Sequence, residues 1–143
     1  MRRSKVEVFI HYVWATQRRE PFLQNPEIER LIHRSIQNEA QQLGCAVLAL
    51  DGMPDHVHLL VKIPATLTLA HIAKQVKGNS STFARKDLFD GDAFSWQEGY
   101  AAFSVTPNHV PKVKSYVQNQ KHHHAEGTTV ALWEECDELI IEA

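Results

Sequence analysis

Residues 45–63 read CAVLALDGMPDHVHLLVKI, two short apolar runs, Cys45 to Leu50 and Val57 to Ile63, set around Asp51-Gly52-Met53-Pro54-Asp55. Strand-forming residues on both sides of a turn rich in Gly, Pro and Asp predict a β-hairpin. On its N-terminal side, Val6, Val8, Ile10, Tyr12 and Trp14 alternate with other residues, the period of a strand with one face in the core. Between that strand and the hairpin, Asn25-Pro26-Glu27 opens a helix, Ile28, Leu31, Ile32, Ile36, Ala40 and Leu43 recur at helical spacing, and Gly44 ends it. After the hairpin a second amphipathic helix is predicted from about Thr68 to Lys86. The stretch Phe94 to Val105, with Gly99 inside it, predicts a bent or bulged strand pair. Thr106-Pro107-Asn108 then leads into a third helix over about His109 to His123, closed by Gly127. The order β-α-β-β-α-β plus a terminal helix predicts an α+β, ferredoxin-like (RRM-like) antiparallel sheet. Its two long helices would share one face, leaving the other open to a ligand.

The 143 residues are enough for one domain with a real core, and 43% hydrophobic with 22% charged is ordinary globular composition. No long apolar run crosses a membrane and no secretory leader is evident, so a cytoplasmic protein is expected. Cys45 and Cys136 lack CxxC spacing and are expected to pack. The net charge of −2 is unevenly placed. Residues 1–130 hold all 15 Lys and Arg against 12 Asp and Glu, whereas residues 131–143 hold five acids and no base. A mildly basic body with an acidic tail, residues 126–143, permits phosphate contacts without demanding them.

Three groups of residues bear chemistry. His56 and His58 are two apart at the start of a predicted strand and so share a face, where two imidazoles can meet one cation, while Val57 points into the core. Tyr116 and Gln120 are four apart on a predicted helix and share its face. A tyrosine oxygen can attack phosphorus, although its ordinary pKa of about 10 calls for a neighbouring cation or base, and an amide oxygen can ligate a hard cation. Lys74, Lys77, Ser81 and Arg85 fall on the outer face of the second helix, beside Gly78. Taken singly, each group has a plainer use: incidental strand histidines, a packed helix tyrosine, a solvated helix face. His122-His123-His124 cannot all chelate one ion, being about 100° apart on a helix, and is expected at the surface. A non-catalytic single-strand- or RNA-binding module and a small metal-dependent hydrolase stand as competing readings.

Taken together, Met53 to Val61, Tyr116 to Gln120, His11-Tyr12-Val13-Trp14-Ala15-Thr16 with Arg18-Arg19-Glu20-Pro21, and Trp96 to Val105 resemble the TnpA-type single-tyrosine HUH transposases of small bacterial insertion sequences, in the family's order from about residue 8 to 124. The resemblance implies an enzyme that cuts and rejoins single-stranded DNA through a 5′-phosphotyrosine. Tyr116 would be the nucleophile, and His56, His58 and Gln120 the ligands of Mg2+ or Mn2+. It also implies hairpin substrates at element ends and a homodimer in which the histidines of one subunit meet the tyrosine helix of the other. No nucleotide cofactor is expected, because exchanging one phosphodiester for another conserves bond energy.

Overall fold

The computed structural model describes residues 4–136. Four strands, β1 (Val8–Ala15), β2 (Ala46–Met53), β3 (His56–Ile63) and β4 (Ala101–Val105), form one sheet in the order β2-β3-β1-β4. Every neighbouring pair is antiparallel. This is the predicted ferredoxin-like order. The hairpin is tighter than its sequence suggested: β2 runs on to Met53 and only Pro54 and Asp55 separate it from β3. Gly52 faces Val57 across the hairpin, and a Cβ there would lie 2.2 Å from the His56 carbonyl oxygen. Glycine is what lets the two strands close at this point.

Helices α1 (Pro26–Gln42) and α2 (Leu69–Phe83) cover one face of the sheet. The Asn25 side chain caps α1 by accepting from the amides of Glu27 and Ile28, and Thr68 caps α2 by accepting from the His71 amide. Ile32 and Ile36 of α1 and Ile72 and Val76 of α2 pack against Ile10, Tyr12, Trp14, Val57, Leu59 and Val61. Each fully buried aliphatic side chain there contributes about 1.5–3 kcal/mol. The helical run reaches past Lys86 as expected, but its last turn, Ala84–Leu88, widens from α to π winding.

The opposite face is not open. Helix α3 (Val110–Gln118) lays Val113 and Val117 on Ala49, Leu60 and Val105, and α4 (Gln120–Glu126) and α5 (Ala131–Glu134) follow it. Because β1 lies inside the sheet, this covering buries its second row as well, His11, Val13 and Ala15. The predicted third helix is broken at Asn119 (φ −112°, ψ 33°), whose side-chain amide donates to the Ser115 carbonyl oxygen at 2.7 Å. Such local side-chain bonds compete with the helical ladder. The strand pair expected within Phe94 to Val105 is one strand, β4, plus a single bridge from Trp96 to Thr16, with Gly99 turning at φ 88° between them. Trp96 belongs to the core, its indole N–H donating to Ser80 Oγ at 2.9 Å. Cys45 and Cys136 are both buried and no disulfide joins them. Among the described residues no helix is long and apolar enough to cross a membrane.

Candidate active site

His56 and His58 open β3 on the face away from α1 and α2, while Val57 between them enters the main core. Both imidazoles are almost fully buried, at 3% and 0% exposure, so they are not the solvent-facing pair that an open sheet face would have made. In each ring Nδ1 is occupied: that of His56 lies 2.8 Å from Asp55 Oδ1, and that of His58 lies 2.8 Å from His11 Nε2. The two Nε2 atoms face the same space, both near one Glu134 oxygen. Burial disfavours protonation of His56, but the carboxylates of Asp55 and Glu134 outweigh it and raise its pKa. In His58 burial wins and the pKa is lowered. His11 is pushed down to about 3 by burial and by the neighbouring His58, so it is neutral.

Tyr116 comes to this pair from α3, with its ring 5.9 Å from that of His58 and stacked on His123. Its hydroxyl donates to Glu134 Oε2 and accepts from the Val130 amide at 3.0 Å. Burial and the Glu134 carboxylate push its pKa up to about 12, so the phenol is protonated near neutrality. The break at Asn119 does not separate Gln120 from Tyr116: the Gln120 amide lies 3.4 Å from the Tyr116 carbonyl oxygen, and its Oε1 is 3.2 Å from His124 Nε2. Gln120 is fully buried.

A buried imidazole pair with Nδ1 held and Nε2 turned inward, beside an amide and a carboxylate oxygen, is a donor set suited to a divalent cation. His56 Nε2 carries the sharpest sign of it, being buried without a hydrogen-bond partner among the described residues.

The sequence placed the histidine triplet at the surface, and the structure corrects this in part. His122 is exposed, but His123 stacks on the nucleophile candidate and His124 lies at the site, its ring 5.2 Å from that of His56. One signal was available, since His124 stands four residues after Gln120 and shares its helical face. Glu134 and His11 carried no local signal, because only the tertiary fold brings residues 134, 11 and 58 together.

On the outer face of α2 the four predicted contacts divide. Lys74 is exposed beside Gly78, where an added Cβ would meet nothing within 4 Å. Lys77 instead donates to the carbonyl oxygens of Gln97 (2.9 Å) and Gly99 (2.6 Å), and burial lowers its pKa. Arg85 reaches the Phe94 carbonyl oxygen at 3.5 Å, and Ser81 Oγ the Gly78 carbonyl oxygen at 3.1 Å.

Residues 4–120, spanning the whole sheet, the histidine pair, Tyr116 and Gln120, match the IS200-like transposase family. The chain belongs to that family. This transposase is 25% identical over 117 residues to the ISDra2 transposase TnpA of Deinococcus radiodurans, covering 77% of the chain and 81% of that protein. The crystal structure of a transposase from Deinococcus radiodurans superposes with a TM-score of 0.62 at 25% identity, over 84% of this chain and 98% of the other. A REP-associated tyrosine transposase bound to a REP hairpin shares the fold at a TM-score of 0.62 and 12% identity, over 90% and 74% of the two chains.

Proposed function

We propose that this transposase cleaves and rejoins single-stranded DNA at insertion-sequence ends, with Tyr116 as nucleophile and His56, His58 and Gln120 as ligands of Mg2+ or Mn2+. The observation that carries the reading is the meeting of Tyr116, Gln120 and the histidine pair in one buried cluster although 46 residues separate β3 from α3. A divalent cation bound there supplies Lewis-acid stabilisation to the scissile phosphate and orients it. Asp55 and His11 fix the two imidazoles through Nδ1, leaving Nε2 of each as donor. The Tyr116 oxygen forms a bond to phosphorus as its proton leaves, and the bond to the 3′-oxygen breaks, that oxygen taking up a proton. The 5′-phosphotyrosine so formed keeps the energy of a phosphodiester, so a 3′-hydroxyl of DNA can reverse the step. Two imidazoles in the ligand set favour manganese over magnesium.

A hairpin substrate is supported by the REP-associated relative, which was solved on one. Phosphate contacts are assigned to the exposed α2 face and to Lys74 first, since Lys77, Ser81 and Arg85 beside it are engaged by backbone carbonyl oxygens. The working unit is proposed to be a homodimer. In the single chain α3 packs on its own β2 and β3, and exchange of α3 and α4 at the turn Thr106–His109 would recreate the same contacts between two chains.

The test is an SDS-stable adduct between the protein and a single-stranded oligonucleotide carrying the element end. Wild type with Mn2+ is expected to form it and Tyr116→Phe to form none; an adduct in that variant would refute the mechanism. Mixing His58→Ala with Tyr116→Phe protein, after verified subunit exchange, is expected to restore adduct formation. A mixture that stays inactive would place each tyrosine with its own histidines.

A further inference from the structure

The acidic C-terminal segment sends one carboxylate into the pocket. Glu134, the last residue of α5, has Oε1 at 3.0 Å from His56 Nε2, 3.2 Å from His58 Nε2 and 3.2 Å from His124 Nε2. Its other oxygen accepts the Tyr116 hydroxyl. Donor atoms of His56, His124 and Glu134 all lie within 4.8 Å of one another.

The orientation at His56 is as informative as the distance. His56 Nε2 is buried and makes no hydrogen bond, although the Glu134 oxygen is only 3.0 Å away. Two hydrogen-bonded atoms point at each other. Two ligands of one cation point instead at a third place between them, and with metal–donor bonds of about 2.1 Å at right angles they stand about 3 Å apart. The separations of His56 and His124 Nε2 from Glu134 Oε1, 3.0 and 3.2 Å, have that size, while His58 Nε2 is hydrogen-bonded to the same oxygen.

We infer that Glu134 and His124 belong to the same divalent-cation site as His56 and His58, so that the cation clasps the C-terminal segment onto the pocket. This rests on the metal-dependent reading above. The carboxylate adds the negative charge that neutral imidazoles and an amide lack, which strengthens binding of a hard dication. It also couples the cation to the nucleophile, because the same carboxylate holds the Tyr116 hydroxyl. The clasp accounts for a half-buried acidic residue set among histidines in a segment beyond the family-matched residues 4–120.

The experiment is Mn2+ titration of the full chain without DNA, read by the electron paramagnetic resonance of free Mn2+, together with chymotrypsin cleavage at Leu132 and Trp133. Glu134→Gln keeps the side-chain shape and an acceptor for Tyr116, and melting curves check that it is folded. Wild type is expected to bind Mn2+ at least about tenfold more tightly than Glu134→Gln, with His124→Ala also weakened. Mn2+ should slow chymotrypsin in wild type but not in Glu134→Gln. Unchanged or tighter Mn2+ binding in Glu134→Gln overturns the inference, since the carboxylate would then be a competitor sitting in the pocket. His56→Ala separates the two levels of failure. If it loses Mn2+ while Glu134→Gln retains it, only the clasp is wrong; if it too binds as wild type does, the histidine site itself falls.

Discussion

Gly52→Ala should damage the site from outside it. The added methyl would lie 2.2 Å from the His56 carbonyl oxygen and 3.0 Å from Val57 Cα, both backbone atoms that no rotamer change can move. An ordinary carbon–oxygen contact is about 3.2 Å, so relief requires a displacement of about 1 Å between β2 and the start of β3, where His56 and His58 sit. Overpacking of this kind costs about 1–3 kcal/mol. At about 2–4 °C per kcal/mol for a chain of this size, the melting temperature should fall by about 2–12 °C. A shift of about 1 Å in ligating groups should also weaken Mn2+ binding and cut adduct formation by about a hundredfold even below the melting temperature. Gly78→Ala is the internal control: its methyl meets nothing within 4 Å on the exposed face of α2, and it should stabilise the helix by about 0.5–1 kcal/mol. Differential scanning calorimetry with and without Mn2+ reads the stability and metal binding, and the SDS-stable adduct reads the cleavage. A Gly52→Ala protein with wild-type melting and Mn2+ affinity would refute the claim that hairpin closure places the histidines.

His56→Ala and His58→Ala should each abolish Mn2+-dependent adduct formation and, being buried, should also change the melting temperature; normal cleavage by both would remove them from the mechanism. His11 is neutral in the fold because burial lowers its pKa to about 3, whereas an unfolded histidine titrates near 6.5. The unfolded chain therefore binds more protons between those values, and stability should drop as pH falls from about 6.5, by up to about 1.4 kcal/mol per pH unit for this group. Urea melts at pH 5 and 7.5 should show the drop in wild type and a smaller one in His11→Phe; identical pH dependence would refute the assignment. Lys74→Ala should lower the salt slope of single-strand binding by about 0.7 without altering stability, while Lys77→Ala should also loosen residues 97–99, seen as faster amide exchange there. An unchanged slope for Lys74→Ala would mean that α2 does not face DNA.

The order of elements was legible in the sequence because each signal is local. Asn25-Pro26 starts α1, the alternation from Val8 to Trp14 makes a strand, and the turn from Asp51 to Asp55 makes a hairpin, all through contacts within a few residues. The pairing of His56 with His58 and of Tyr116 with Gln120 follows from strand and helix periods, which the sequence also contains. Tertiary structure alone decided what those periods face. Burial of β1 on both sides depends on α3 returning over the sheet, a long-range packing of Val113 and Val117 on Leu60 that no local pattern encodes. The same return sets His11 against His58, and it brings Glu134 to three imidazoles and Tyr116. A carboxylate in an acidic run reads as solvated until the fold turns it onto imidazoles. Lys77 reads as an outward cation until the carbonyls of Gln97 and Gly99 arrive from another part of the chain. Side-chain chemistry and period are written residue by residue, whereas partners far apart in the chain exist only once the two faces of the sheet have been covered.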